Sequence, residues 1–148
     1  ARDPSVREPS VRDVDSARRV FRLEAEGIQS LMRALEGPLG AAFGRAIDLI
    51  RSATGRVIVT GMGKSGHVAR KIASTFASTG TPALYVHPGE ASHGDLGMVA
   101  EGDAVMALSN SGETEELSDI LAYTKLRRIP LIAMTAKIRS IHSVRQFS

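Results

Sequence analysis

Two loops rich in glycine and hydroxyl groups carry the residues of this chain that could do chemistry. We call them the glycine loop, residues 61–66 (Gly-Met-Gly-Lys-Ser-Gly), and the hydroxyl loop, residues 109–114 (Ser-Asn-Ser-Gly-Glu-Thr). Each follows a short apolar run and leads into a stretch of amphipathic helical period. N–H groups at a helix start lack partners within the helix and carry partial positive charge, so they bind anions. Two such loops at one edge of a sheet predict a pocket for a small phosphorylated molecule.

Lys64 of the glycine loop stands where a cation is unfavourable in an isolated helix. In the first turn it opposes the helix macrodipole, at a cost of up to about 1 kcal/mol. An ordinary surface lysine can tolerate that small cost. A bound phosphate or a developing oxyanion would instead make the position favourable, and we favour this second interpretation.

The hydroxyl loop offers Ser109, Ser111 and Thr114 beside Asn110. Ordinary helix capping explains one of these hydroxyls, whereas binding of a phosphate uses several of them. We therefore favour ligand binding. Glu116 follows in the first helical turn, where acids stabilise the helix anyway, so the pattern by itself favours a structural role for this glutamate.

The segment between the two loops is dense in titratable groups. Residues 87–95 include His87 and His93 together with acidic and hydroxyl side chains. Such a set could form an acid–base site or a weak metal site. A loop histidine is more often a surface residue, so the pattern alone does not assign a function to either histidine.

The spacing of the glycine loop also imitates two nucleotide-binding motifs. A dinucleotide fold needs an acid about 20 residues on, at the end of the second strand, to hold the ribose. Residues 86–88 (Val-His-Pro) occupy that place, and the first acid is Glu90. A P-loop needs a glycine five residues before Gly63, where Ile58 stands. Both nucleotide interpretations are therefore disfavoured.

Alternating strand and helix patterns position these loops. Short, almost wholly apolar runs, typical of parallel strands buried on both faces, predict strands at 57–60, 83–86, 104–108 and 131–134. The intervening helices are predicted to turn inward Val68, Ala69, Ile72, Ala73 and Phe76 in one, and Leu117, Ile120 and Leu121 in the other. The expected fold class is α/β, a three-layer, doubly wound parallel sheet with ligands at the carboxyl ends of its strands.

The amino-terminal third has a different pattern. Residues 1–14 contain a proline-bearing near-repeat of five residues, which predicts a disordered leader. A helix is expected from about Asp15 to Glu36, and a second one follows and ends near Gly55. Residues 15–135 are expected to form the ligand-binding domain, and residues 136–148 a divergent basic tail.

Composition narrows the classes of function. At 148 residues, with 43% hydrophobic and 24% charged residues, the chain is predicted to be one globular domain. No apolar run approaches the roughly 20 residues that span a bilayer, so no membrane partner is expected. Without the three basic residues near the carboxyl end, acidic and basic side chains balance at 16 each, and aromatic residues are only 4%. Nucleic-acid binding is therefore not expected. The absence of cysteine excludes a disulfide framework and fits a cytoplasmic protein.

Taken in order, these segments resemble the SIS (sugar isomerase) domain, and specifically that of D-arabinose 5-phosphate isomerases. The resemblance covers about half of the chain, from residue 57 to residue 134. Its motifs are the segments 61–66, 77–82, 86–91, 93–98 and 109–114. The family fold is a parallel sheet of flavodoxin-like topology, here preceded by two helices.

The resemblance implies an enzyme that interconverts D-arabinose 5-phosphate and D-ribulose 5-phosphate, a precursor step for Kdo and lipopolysaccharide or for capsule. It also implies a cytoplasmic homo-oligomer, usually a tetramer, that requires no organic cofactor. It assigns catalytic roles to Lys64, Glu116 and His93, and a possible inhibitory zinc to His87. The implied substrate contacts are Gly63, Ser65, Gly66, Gly80, Thr81, Ser109, Asn110, Ser111 and Thr114.

The family pattern continues beyond residue 134 with a segment that bears a second functional glutamate and a second functional histidine. Those segments are not present here, so we expect half of the catalytic set, in an SIS domain cut after its first half. Two alternatives follow: a non-catalytic SIS fragment, or a sugar-phosphate-sensing module of a regulator. The region 15–55 contains no basic recognition helix, which disfavours the regulator.

Overall fold

The structure is a computed structural model that describes residues 10–91, 93–112 and 114–137. It divides into two compact units, residues 1–45 and residues 46–148. The helices are α1 (Val11–Leu35), α2 (Pro38–Ser52), α3 (Gly63–Ser78), α4 (Pro88–Ala91) and α5 (Ser118–Leu126), with short 3-10 helices at Asp95–Met98 and Glu115–Leu117. The strands are β1 (Val57–Gly61), β2 (Ala83–Val86), β3 (Ala104–Leu108) and β4 (Leu131–Met134). All four strands begin where the sequence predicts them.

The strands form one parallel sheet in the order β2-β1-β3-β4. The chain moves from β1 to β2 in one direction and then returns across β1 to β3 and β4. Because parallel crossovers are right-handed, this reversal sends the connecting helices to opposite faces of the sheet. The fold is therefore the predicted three-layer, doubly wound α/β arrangement.

Each face of the sheet has its own apolar core. On one face, Ile58 and Val105 pack with Leu117 and Ile120, which are both buried as predicted. On the other face, α3 covers the sheet, with Ala69 among its buried residues.

Val68 is a correction to the predicted core. It was expected to turn inward, but its side chain is 53% exposed. It follows Lys64 by one helical turn, near the amino-terminal end of α3 and beside the carboxyl ends of the strands. There it lines a pocket instead of packing on the sheet.

The start of α1 is a second correction. The helix begins at Val11, four residues before the predicted start and inside the predicted leader. Ser10 and Asp13 explain this, because they form a capping box: the Ser10 hydroxyl accepts the Asp13 N–H at 3.2 Å, and Asp13 Oδ2 accepts the Ser10 N–H at 2.8 Å. The hydrogen bond from the Ser10 hydroxyl, with that from its N–H, lowers the pKa of Asp13. Residues 1–9 of the leader lie outside the described residues.

The amino ends of β1 and β3 are tied together by a buried carboxylate. Asp103 is 2% exposed and accepts the N–H of Arg56 at 2.6 Å and that of Ala100 at 2.9 Å. The Arg56 guanidinium lies 3.8 Å from the same carboxylate. These bonds join the residue before β1 to the turn before β3, and so help to fix the pairing of the two central strands.

Helix α2 is shorter than predicted, since it ends at Ser52, three residues before the predicted end near Gly55. Across the described part of the chain, no helix combines the length and the apolar composition needed to cross a membrane.

Candidate functional site

The glycine loop and the hydroxyl loop leave the sheet side by side. In the ladder between β1 and β3, Gly61 pairs with Leu108, so the two strands end at the same level. The connections leave β1 and β3 in opposite directions, which makes their carboxyl ends the topological switch point of the sheet. Ligands of open α/β sheets bind in the crevice at that point. The fold therefore brings the two predicted anion-binding loops together where a ligand is expected.

A pocket of about 430 Å³ lies at this edge. It is lined by Lys64, Ser65, Val68, Leu108, Ser109, Asn110, Met134, Thr135 and Ala136. Lys64 and Ser65 come from the glycine loop and Ser109 and Asn110 from the hydroxyl loop, so one pocket joins residues of both loops. The walls between them are apolar.

The residues after β4 were missed as part of the pocket. Thr135 and Ala136 were assigned to the domain boundary and to the divergent tail, yet both line the cavity. They follow the carboxyl end of β4, which lies next to β3. That position is the signal that could have identified them, because the residues after adjacent parallel strands share one edge.

The glycine loop forms the first turn of α3 and leaves its amides available for an anion. The N-cap residue is Met62, whose side chain makes no capping hydrogen bond. The Gly66 N–H donates to Met62 O at 3.2 Å, which is the first bond of the helical ladder. The N–H groups of Gly63, Lys64 and Ser65 therefore precede the ladder and lack acceptors within the helix. With Lys64 beside them and no acid in the turn, this end of the helix is electropositive.

Close packing fixes the glycine loop against β1. A Cβ atom on Gly66 would lie 2.7 Å from Gly61 O, a distance that side chains do not tolerate. Gly63 has φ of 55°, in the left-handed region that favours glycine. The substrate contacts of Gly63 and Gly66 stay predictions, while the backbone favours glycine at residue 63 and leaves no room for a side chain at residue 66.

The hydroxyl loop is held by its own side chains. Ser109 Oγ lies 2.6 Å from Thr114 Oγ1 and accepts the Gly112 N–H at 2.9 Å. With only 8% of its surface exposed, Ser109 is an organising residue of the loop as well as part of the pocket lining. If Ser109 donates to Thr114, the Thr114 proton is left to donate outward. Ser111 is half-buried in the same loop.

Gly80 and Thr81 lie elsewhere. Helix α3 runs back from the carboxyl ends of the strands, so its last turn and the start of β2 lie at the amino-end edge of the sheet. There Gly80 has φ of 95° and the Thr81 N–H donates to Phe76 O at 2.9 Å, which ends the helix. Within one chain, both residues lie away from the pocket, and their substrate contact stays a prediction.

His93 and Glu116 lie on the carboxyl-end side of the sheet but are not among the residues that line the pocket. His93 is exposed in the turn after α4, where its N–H donates to Glu90 O at 2.9 Å. Glu116 is exposed in the 3-10 helix before α5. Their catalytic roles remain predictions. Ser92 and Glu113 lie outside the described residues.

The zinc at His87 stays a prediction. The His87 Nδ1 accepts the Gly89 N–H at 3.2 Å, so in the neutral ring the proton is on Nε2. A metal on Nε2 requires that proton to move to Nδ1, which would break the bond with Gly89. In the ranges that the structure covers, no three or more His, Cys, Asp or Glu side chains cluster as metal ligands.

Comparisons with known proteins agree with this geometry. The family model of the SIS domain matches residues 49–144. The arabinose 5-phosphate isomerase KdsD of Pseudomonas aeruginosa is 49% identical over 127 residues, which are 86% of this chain and 38% of that protein. The solved structure of E. coli CFT073 c3406 in complex with arabinose 5-phosphate is 41% identical, with a TM-score of 0.71 over 84% of this chain and 66% of that one. Phosphoheptose isomerase GmhA from Neisseria gonorrhoeae, at 18% identity, a TM-score of 0.69 and coverage of 82% and 76%, shares the fold. The chain spans about two fifths of the length of the curated relatives that it matches.

Proposed function

Because the chain belongs to the SIS-domain family, we propose that the pocket at the ends of β1 and β3 binds a sugar phosphate by its phosphate group. One observation carries this proposal: residues from the glycine loop and the hydroxyl loop line a single cavity. Phosphate oxygens accept hydrogen bonds and carry negative charge. The α3 amino terminus and the hydroxyls of Ser65 and Ser109 supply hydrogen-bond donors and partial positive charge to match.

The proposed reaction is the interconversion of D-arabinose 5-phosphate and D-ribulose 5-phosphate. The support is the 49% identity to KdsD over most of this chain. Aldose–ketose isomerisation moves a proton between C1 and C2 through an enediolate, which needs a base and a group that stabilises the oxyanion. Lys64 is the cation in the pocket, and we assign the stabilisation of the oxyanion to it. We assign the proton transfer or the ring opening to His93 or Glu116.

The same similarity supports the finer parts of the proposal. We propose a cytoplasmic homotetramer that needs no organic cofactor and serves lipopolysaccharide or capsule synthesis. Exposed apolar side chains on α1, such as Phe21 at 72% and Met32 at 63%, are of the kind that subunit contacts bury. Analytical ultracentrifugation tests the assembly, and an isomerase assay on extensively dialysed protein without added cofactor tests the independence from an organic cofactor.

The binding test compares two lysines of the same helix. Lys64 lines the pocket, whereas Lys71 is exposed two turns further along α3 and is not part of the pocket lining. Lys64→Met is expected to weaken the binding of arabinose 5-phosphate about 10- to 100-fold, because a charged hydrogen bond is lost. Lys71→Met removes the same charge from a solvent-screened position and is expected to change affinity only about twofold. Isothermal titration calorimetry measures both affinities.

Two results would count against the proposal. If the folded wild-type chain binds no arabinose 5-phosphate at millimolar concentration, the pocket is not a sugar-phosphate site. If both lysine variants lose affinity equally, the loss reflects the lower net charge of the protein and not the removal of a contact in the pocket. Binding without turnover in a coupled assay for ribulose 5-phosphate would support the non-catalytic alternative.

A further inference from the structure

The side chain of Tyr85 on β2 contacts three other segments of the chain. Its hydroxyl donates to Gly61 O at 2.9 Å, at the last residue of β1. The Arg70 guanidinium of α3 lies 4.3 Å from the centre of its ring, within the range of a cation–π contact. The His87 ring meets it edge-on at a centroid distance of 6.4 Å and an angle of 73°. One side chain therefore bridges two strands and the helix between them.

The first turn of α3 is packed directly against this hydrogen bond. A Cβ atom on Gly66 would lie 3.0 Å from Tyr85 Oη as well as 2.7 Å from Gly61 O. The Tyr85 hydroxyl, the Gly61 carbonyl and the α3 backbone at Gly66 are therefore packed too closely to admit a side chain between them. Gly61 is followed at once by Met62, the N-cap, and then by the three amides that precede the helical ladder. The Gly61 carbonyl belongs to the peptide unit that leads into Met62, and the next peptide unit carries the first of those amides.

We propose that Tyr85 is a positioning residue that fixes the anion-binding turn of the glycine loop. Its hydroxyl holds the Gly61 carbonyl, and Arg70 holds its ring in place. The amides of Gly63 to Ser65 and the side chain of Lys64 then face the pocket before any ligand arrives. Donors that are oriented in advance bind an anion without the cost of ordering them. This role rests on the proposed binding of a sugar phosphate at the same turn.

The experiment uses the two tyrosines of the chain as a matched pair. Tyr123 donates its hydroxyl to Val99 O at 3.3 Å, and its side chain packs on the opposite face of the sheet from α3. Tyr85→Phe and Tyr123→Phe each remove one partly buried hydroxyl that bonds to a backbone carbonyl, and each keeps the ring. A general loss of stability would affect both variants, whereas a loss of position at the glycine loop would affect only the first.

Two measurements are made on each variant. The first is amide hydrogen exchange of Gly66, whose N–H makes the first ladder bond of α3. The second is the dissociation constant for arabinose 5-phosphate. In Tyr85→Phe we expect the exchange rate and the dissociation constant to rise about 3- to 10-fold, which corresponds to one hydrogen bond. In Tyr123→Phe we expect both to stay at the wild-type values.

The exchange measurement needs no ligand, so it decides the role of Tyr85 even if the proposed function fails. An unchanged Gly66 exchange rate in Tyr85→Phe would overturn the proposal. An equal rise in both variants would also overturn it. Faster exchange in Tyr85→Phe alone supports the positioning role, and failure of the wild-type chain to bind the sugar phosphate would refute only the function.

Discussion

Replacing Gly66 with alanine places two opposing effects at one position. In an exposed helix interior this change stabilises by about 1 kcal/mol, because alanine is the better helix former. At Gly66 the new Cβ would lie 2.7 Å from Gly61 O and 3.0 Å from Tyr85 Oη, where ordinary contacts start at 3.4 Å. The nearest of these atoms belongs to the backbone of β1, which is paired on both sides and cannot move away easily.

The magnitude follows from these two terms. Overpacking of this kind costs about 1–3 kcal/mol, which equals or exceeds the gain in helix propensity. We therefore expect a net destabilisation of up to about 2 kcal/mol, and a melting temperature lower by up to about 8 °C in a protein of this size. The clash also displaces the first turn of α3. We expect the affinity for arabinose 5-phosphate to fall about tenfold or more, because small misplacements of a binding group are costly.

Gly44→Ala is the matched control. Gly44 lies inside helix α2, and a Cβ atom there would meet nothing within 4 Å. The melting temperature of Gly44→Ala is expected to equal that of the wild type or to be up to about 4 °C higher. Its affinity for arabinose 5-phosphate is expected to stay at the wild-type value. Circular dichroism melts and calorimetric titrations measure both variants. If Gly66→Ala were as stable as Gly44→Ala and bound the ligand normally, the packing argument would be refuted.

Three further predictions concern groups away from the pocket lining. Thr60→Val should raise the free energy of unfolding, measured in urea, by about 1 kcal/mol, because Thr60 Oγ1 is a buried oxygen without a hydrogen bond in the described ranges. A decrease would show that Thr60 Oγ1 has a hydrogen-bond partner after all. Asp103→Ala should lower the free energy of unfolding by about 2–4 kcal/mol, since the Arg56 N–H loses its acceptor. Ligand affinity should stay unchanged, and a reduced affinity of the folded variant would contradict the purely structural role of Asp103. Ser10→Ala should raise the pKa of Asp13 toward its ordinary 3.8, as measured by carboxyl NMR titration. Because the pKa of Asp13 is lower in the folded protein, the ionised carboxylate stabilises the fold fully above pH 3.8, the ordinary pKa. This stabilisation is lost as the pH falls through the pKa that Asp13 has in the folded protein. An unchanged pKa in Ser10→Ala would refute the capping bond.

The sheet and the two loops could be predicted because their sequence pattern has a direct physical cause. Parallel strands buried on both faces must be apolar throughout, and the runs around Ile58 and Val105 fit that condition. Each run is followed by loop residues and then a helical period, which places both loops at the same edge. The pocket lining from Lys64, Ser65 and Ser109 follows from this topology.

The differences arise where the outcome depends on contacts distant in sequence. Gly80 and Thr81 belong to a family motif, but a linear motif does not say at which edge of the sheet a residue lies. Tyr85 looks like an ordinary strand residue, since its bond to Gly61 joins residues that are 24 positions apart. The early start of α1 is a local effect that was overlooked: serine followed three residues later by an acid is a capping pattern.

The pairing of Gly61 with Leu108 has a consequence for how the pocket can change over evolution. A slip of one position between the two central strands would shift the loops by about 3.3 Å relative to each other and turn every side chain to the opposite face. Such a slip would expose the core, so selection for a stable interior also preserves the spacing of the loops. Apart from the glycines that the backbone needs, the loop side chains can therefore diverge toward other phosphorylated molecules, while the distance between the loops is kept by the buried core of β1 and β3.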